Sequence, residues 1–172
     1  NNATTSIPSN TYPGTASNIT YAAGKFGNAA VFNGSSSKIV ASSKILDNKT
    51  ELTISLWIKN LGGANYSGII TEGGNSGQAG YVLAAYPDNT TLEFWRSNGD
   101  NATYIFQGGS YNFGLGNYWT HIAITVSQSQ VIYYKNGVAV KTTSITNTST
   151  VGGAYNTTFM HDAQYNRYNS GL

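Results

Sequence analysis

The sequence predicts an all-β fold of two stacked antiparallel sheets, and three observations carry that prediction. No window of about 11 residues holds its apolar side chains at helical spacing, short runs rich in β-branched and aromatic residues recur throughout, and turn residues separate those runs at close intervals. Strands set so closely and joined by tight turns pair antiparallel. A single open sheet would leave its apolar face uncovered, so a sandwich or jelly roll follows.

In chain order, residues 1–17 form a polar segment or loop, and residues 18–172 form the β domain. The stretch "GKFGNAAVFNG" (24–34) reads as a tight turn at Gly24 and Gly27 feeding a strand at Ala29–Phe32, with Ala30 and Phe32 on one face. Strands follow near Lys38–Ala41, Leu52–Lys59, Gly68–Thr71, Gly80–Tyr86, Thr91–Arg96, Thr103–Gln107, Trp119–Ser127, Gln130–Lys135, Val138–Ile145 and Thr157–Tyr165. Pro87-Asp88-Asn89 and Asn98-Gly99-Asp100 supply turns, and Asn136-Gly137 is a hairpin signal, because both residues tolerate the positive φ of a type I′ turn.

Composition narrows the function classes. There is no cysteine, so neither a disulfide framework nor a thiolate metal site is available. Charged residues make up 9% of the chain against about 25% in ordinary domains, and the net charge is +2 with the basic residues scattered. Nucleic acid is therefore not an expected partner. No apolar run approaches the 18 or so residues of a membrane span, so membrane insertion is not expected either. Asn-x-Ser/Thr triplets begin at Asn2, Asn18, Asn33, Asn48, Asn65, Asn89, Asn101, Asn147 and Asn156, about twice the number that chance gives. An N-glycosylated protein of the extracellular space, a cell surface or a virion surface is the expectation, set against accident in an Asn/Thr-rich chain.

Several pieces in order resemble the LamG-like jelly-roll domains of the concanavalin A-like lectin/glucanase superfamily: "GKFGNAAVFNG", "KIVAS", "LTISLWIKN", "GYVLAAYPDNTTLEFW", "YWTHIAITVSQSQVIYYKNGVAV" and "FMHDAQYNRYNSGL". The resemblance runs from about Thr20 to Tyr168. It implies a two-sheet jelly roll and a lectin-like or adhesive role. It also implies an apolar first strand ahead of the polar loop, which is missing here, and a closing segment beyond "YNRYNSGL". The chain is accordingly expected to be a piece of a longer polypeptide, or to be completed by a neighbour's strand at an open sheet edge.

Catalysis is not expected. Glycoside hydrolysis needs two carboxyl groups about 5–9.5 Å apart, which the glucanase relatives carry as Glu-x-Asp-x-x-Glu on one strand. Here Asp47, Glu51, Glu72, Asp88, Glu93, Asp100 and Asp162 stand apart in sequence. His121 and His161 are the only histidines, and no Gly-x-Ser-x-Gly elbow is present. The resemblance makes calcium an optional ligand, with Asp88 and Asp100 in neighbouring turns as its candidates. The competing reading is that Asp and Asn stand there to stabilise the turns.

Strand alternation supplies the binding hypothesis. Leu52, Ile54, Leu56 and Ile58 make one apolar face of their strand, which turns Trp57 and Lys59 outward. "TLEFWR" repeats this with Glu93 and Trp95, and "WTHIAITV" with His121 and Thr125. If these strands share a sheet, its outer face gathers Trp57, Trp95, Glu93, Lys59, His121 and Thr125, with Tyr86 in a nearby loop. Aromatic faces beside hydrogen-bonding groups suit a pyranose. The competing reading packs each tryptophan under a loop. The expected function is thus a non-catalytic adhesion or carbohydrate-recognition module whose partner is a glycan or surface glycoprotein. A glycosylated, self-associating subunit of a surface filament, virion or cell coat is the alternative, and a glycoside hydrolase comes third.

Overall fold

The computed structural model describes residues 12–73, 79–98, 104–146, 152–163 and 165–172, and among these every regular element is a strand. One sheet has seven strands in the order β1 (Gly14–Ser17), β4 (Lys38–Ala41), β14 (Thr158–Phe159), β7 (Ser67–Thr71), β8 (Ala79–Ala85), β9 (Thr91–Asn98) and β10 (Tyr104–Asn112). The second has four, in the order β13 (Val138–Ser144), β12 (Gln130–Lys135), β11 (Thr120–Val126) and β5 (Leu52–Ile58). A smaller group runs β15 (His161–Asp162), β16 (Arg167–Gly171), β3 (Asn28–Asn33) and β2 (Thr20–Ala23), with β6 (Gly62–Gly63) pairing β16.

The two main sheets meet through one apolar core. Ile54 and Ile58 of β5, Ile122 and Ile124 of β11 and Tyr133 of β12 pack with Ile69, Leu83, Leu92 and Phe94 of the facing sheet. Strict alternation on β11 produces this, since Ile122, Ile124 and Val126 are buried while the residues between them are half-exposed. Register fixes the partners: Ile122 lies opposite Leu56 and Ile124 opposite Ile54. One polar tie crosses the core, with the Phe94 amide donating to the Tyr133 hydroxyl at 3.0 Å, and burial pushes that phenol's pKa up.

The turns obey their chemistry. Asn136 and Gly137 take φ of +50° and +84° and join β12 to β13. After β8, the chain reverses through Asn89 at φ +54°, whose amide donates to the Tyr86 carbonyl at 2.9 Å. The glycine-rich segment is the β2–β3 hairpin, closed by the Gly24 amide on the Gly27 carbonyl at 2.8 Å.

Several elements differ from the sequence reading, which lists neither β2 nor β6 among its strands. Gly14–Ser17, placed within a polar loop, is strand β1 and pairs with β4 from Gly14↔Ala41 to Ser17↔Lys38. The single strand expected over Thr157–Tyr165 is split in two at Met160, which adopts φ +59° while its amide donates to the Ile69 carbonyl at 2.8 Å. Within "YNRYNSGL", where the sequence reading lists no strand past Tyr165, Arg167–Gly171 forms β16.

A gap bears on partners. β5 is the edge of its sheet, and Gly171 and Leu172 lie between it and β3: Gly171 pairs with Phe32 of β3, while Leu172 and Lys59 exchange both backbone hydrogen bonds at 2.9 Å. β3 and β5 flank an apolar groove of about 240 Å³ lined by Phe32, Leu56, Ile58, Ile69, Ile70 and Phe159, among others.

Candidate functional site

Trp57 stands on the outer face of the four-stranded sheet because its neighbours Leu56 and Ile58 point to the core. It lies opposite His121 across the β5–β11 register, with ring centroids 5.2 Å apart. The Ser55 hydroxyl and His121 Nε2 are 2.9 Å apart, which fixes the imidazole from the same face. The β2–β3 hairpin reaches over this face. Phe26 meets Trp57 edge-on at 5.9 Å, and the Lys25 ammonium sits 5.1 Å from the indole centroid, within cation–π range. The β12–β13 turn closes the other side, where the Asn136 side chain accepts from the His121 amide at 3.0 Å and the Asn136 amide donates back to the His121 carbonyl at 2.9 Å.

Together Lys25, Trp57, Trp119, His121, Asn136 and Gly137 line an open depression of about 480 Å³. It offers an indole edge and face, an ammonium, an imidazole and an amide, with no carboxylate among its lining residues. Phe26 borders it, touching Trp57 edge-on while remaining 75% exposed. From the sequence alone the glycine-rich segment is a turn feeding a strand, with no sign of a place at a site. Lys25, Asn136 and Gly137 lie in turns, and nothing in a local pattern shows that two hairpin tips converge on one tryptophan.

The other proposed residues are elsewhere. β9 belongs to the seven-stranded sheet, so Trp95 and Glu93 do not share a face with Trp57 and His121, and the composite surface expected from alternation does not form. Trp95 is also 6% exposed, packed with Val82 and Ala84 on the side of its sheet away from the core. It alternates with Phe94, which faces the core. Which sheet β9 joins, and that the indole ends up covered, are facts of long-range pairing. Lys59 does not line the depression, and its backbone is held by Leu172.

On the seven-stranded sheet a smaller group gathers. The Tyr86 hydroxyl donates to Glu93 Oε2 at 2.7 Å, and burial, then this bond, push the phenol up to about 12. Tyr66 lies 5.0 Å from the Tyr86 ring, 46% exposed and at φ +52°, a conformation a bulky residue adopts only under constraint. The carboxylate of Glu93 is thus occupied by a phenol.

The turn aspartate is explained by its turn. Asp88 Oδ1 accepts from the Thr90 and Thr91 amides at 2.9 and 2.8 Å and Oδ2 from the Thr91 hydroxyl at 2.6 Å, which holds its pKa down at about 2. These bonds favour the turn-stabilising reading over calcium at Asp88, while Asp100 lies outside the described residues. Of the acceptor asparagines, Asn18, Asn33, Asn48, Asn65 and Asn156 are exposed, Asn89 is half-buried, and Asn2, Asn101 and Asn147 lie outside the described residues. Asn33 has a structural duty as well, its Oδ1 accepting from the amides of Ser35, Ser36 and Ser37.

Comparison with solved structures supports the fold. Domain 4 of AbnA, a GH43 extracellular arabinanase from Geobacillus stearothermophilus, solved in complex with arabinotriose, matches at a TM-score of 0.71 and 21% identity over 93% of this chain and 78% of that one. The botulinum neurotoxin serotype D ligand-binding domain, solved with N-acetylneuraminic acid, matches at 0.63 and 17% identity, covering 88% of this chain and 39% of that one. The binding domain of Paraclostridial Mosquitocidal Protein 1 matches at 0.69 and 16% identity, covering 96% of this chain and 44% of that one. The chain thus spans about two-fifths of the length of the toxin domains it matches. No curated protein matches it by sequence. A family model described as the concanavalin A-like lectin/glucanases superfamily matches residues 32–172, so the chain belongs to that superfamily.

Proposed function

We propose that the chain is a non-catalytic carbohydrate-recognition module acting outside the cell, and that a glycan binds in the depression at Trp57. The observation that carries this reading is the meeting of the Lys25–Phe26 and Asn136–Gly137 hairpin tips beside the Trp57 and His121 rings. An indole stacks on the C–H face of a pyranose while the surrounding donors and acceptors engage its hydroxyls. Relatives of the same fold were solved with arabinotriose and N-acetylneuraminic acid, which makes sugars the first class to screen. A glycan array followed by calorimetric titration tests the site: Trp57→Ala weakens the selected sugar by roughly tenfold to a hundredfold. Unchanged affinity in that variant removes the depression as the site.

One observation favours a second role, self-association by strand addition. β5 is the edge strand of its sheet, and with β3 it flanks an apolar groove lined by Phe32, Leu56, Ile69 and Ile70. Its occupant in this reading is an extended segment of a second copy with apolar residues at every second position, extending the sheet through main-chain bonds and covering the half-buried Leu56. Light scattering across a concentration series checks it. Assembly that is lost when Ser55, on the free β5 edge, is replaced by Pro supports the reading, and a concentration-independent monomer overturns it.

A further inference from the structure

The depression at Trp57 is rich in hydrogen-bond donors and short of acceptors, and that imbalance points to a class of sugar. Lys25 brings an ammonium that only donates, and the Trp119 indole likewise has no acceptor. The acceptors on the surrounding side chains are already engaged. Asn136 Oδ1 takes the His121 amide at 3.0 Å, and His121 Nε2 lies 2.9 Å from the Ser55 hydroxyl. Asn136 therefore meets a ligand with its Nδ2 amide. A neutral sugar brings a donor with every hydroxyl and needs acceptors in return, which carboxylates supply best.

The carboxylates of this chain serve other places. Among the described residues none lines the depression. Glu72 is fully buried, its Oε1 accepting from the Leu46 amide at 2.6 Å and its Oε2 without a partner. Asp47 accepts from the Gly153 amide at 2.6 Å and from the Asn48 side chain at 3.0 Å. Asp88 is held by its own turn, and Glu93 by Tyr86 on the other sheet.

Lys25 instead stands over Trp57, 5.1 Å from the indole centroid, which is the place a stacked sugar ring takes. The residue is exposed on the β2–β3 hairpin, and its flexible stem lets the ammonium move aside while the hairpin stays put. A neutral ring that displaces it breaks a cation–π contact and puts nothing in its place. A ring carrying its own carboxylate replaces that contact with a charge-assisted hydrogen bond.

Building on the Trp57 depression as the sugar site, we propose that it selects sugars with a carboxylate directly on the ring. The ring stacks on the indole while the carboxylate takes the Lys25 ammonium and the Asn136 Nδ2 amide. Uronic acids and nonulosonic acids share this chemistry.

The test is a calorimetric titration of the whole chain, with a chelator present so that no metal bridges ligand and protein. Trigalacturonate is compared with its methyl ester, which reports on uronic acids, and sialyllactose with its methyl ester, which reports on nonulosonic acids. Each pair keeps the ring and removes the charge. At least one acid binds roughly tenfold more tightly than its ester. Raising the ionic strength from about 0.01 M to about 1 M closes most of that gap, because the screening length falls from about 30 Å to about 3 Å. Lys25→Gln brings the acid to the affinity of its ester, and Lys25→Arg restores a preference. An exposed turn side chain is replaced without disturbing the core. Acid and ester bound equally, with Trp57→Ala weakening both, overturn the inference and leave the sugar site standing. An acid preference that survives Lys25→Gln also overturns it. No binding of any of these probes overturns the inference alone, since the array samples other sugars. An acid preference untouched by Trp57→Ala removes the site and the inference together.

Discussion

Trp57 and Trp95 hold similar places in an alternating strand, Trp57 between the core-facing Leu56 and Ile58 and Trp95 next to the core residue Phe94, yet their fates are opposite. Trp57 borders an open depression under two hairpin tips, whereas Trp95 is 6% exposed beside Val82 and Ala84. The difference teaches that strand alternation decides which way a side chain points but says nothing about what covers that side of the sheet. Coverage is set by the long-range pairing that places β5 beside β11 and β9 between β8 and β10.

The comparison breaks most visibly at Trp95. Trp95→Ala empties a packed site and costs roughly 3–5 kcal/mol of stability in denaturant unfolding, with sugar affinity per folded molecule unchanged. Trp57→Ala shows the reverse balance: about 1–2 kcal/mol of stability, because the indole is only half-buried, but most of the sugar affinity. Equal stability losses would erase the contrast.

Two smaller effects sharpen it on the seven-stranded side. Tyr86→Phe removes a charge-assisted bond to Glu93 and costs roughly 1.5–3 kcal/mol. The folded phenol holds its proton more tightly than the unfolded one, so its contribution is complete below pH 10 and is lost as pH rises from about 10 to about 12. An ultraviolet titration therefore shows one tyrosine ionising near 12, absent from Tyr86→Phe. Asp88→Ala costs about 1 kcal/mol by freeing the turn amides. Here the sign is opposite: the folded carboxyl is more acidic than the unfolded one, so the stability is present above about pH 4 and vanishes as pH falls through about 2. Acid unfolding of the two proteins should converge at the low end.

Much of the fold was legible because its signals are local. The apolar faces of β5 and β11, the Asn136–Gly137 hairpin and the Pro87–Asn89 turn each follow from residues adjacent in the chain. β1 escaped notice because Gly14–Ser17 carries no apolar alternation, its strand state coming from pairing with β4. The site was half legible. Trp57 and His121 were named from their strands, but Lys25 lies more than 30 residues from Trp57 and meets it only through the hairpin's reach. Glu72 looked like one isolated acid among seven, and only three-dimensional packing shows its orphaned oxygen.

The most direct test is a calorimetric titration of one array-selected oligosaccharide against the wild-type chain, Trp57→Ala and Tyr66→Ala. Binding lost in Trp57→Ala and kept in Tyr66→Ala places recognition on the four-stranded sheet. Binding kept in Trp57→Ala and lost in Tyr66→Ala would move it to the Tyr66–Tyr86–Glu93 face and contradict the account.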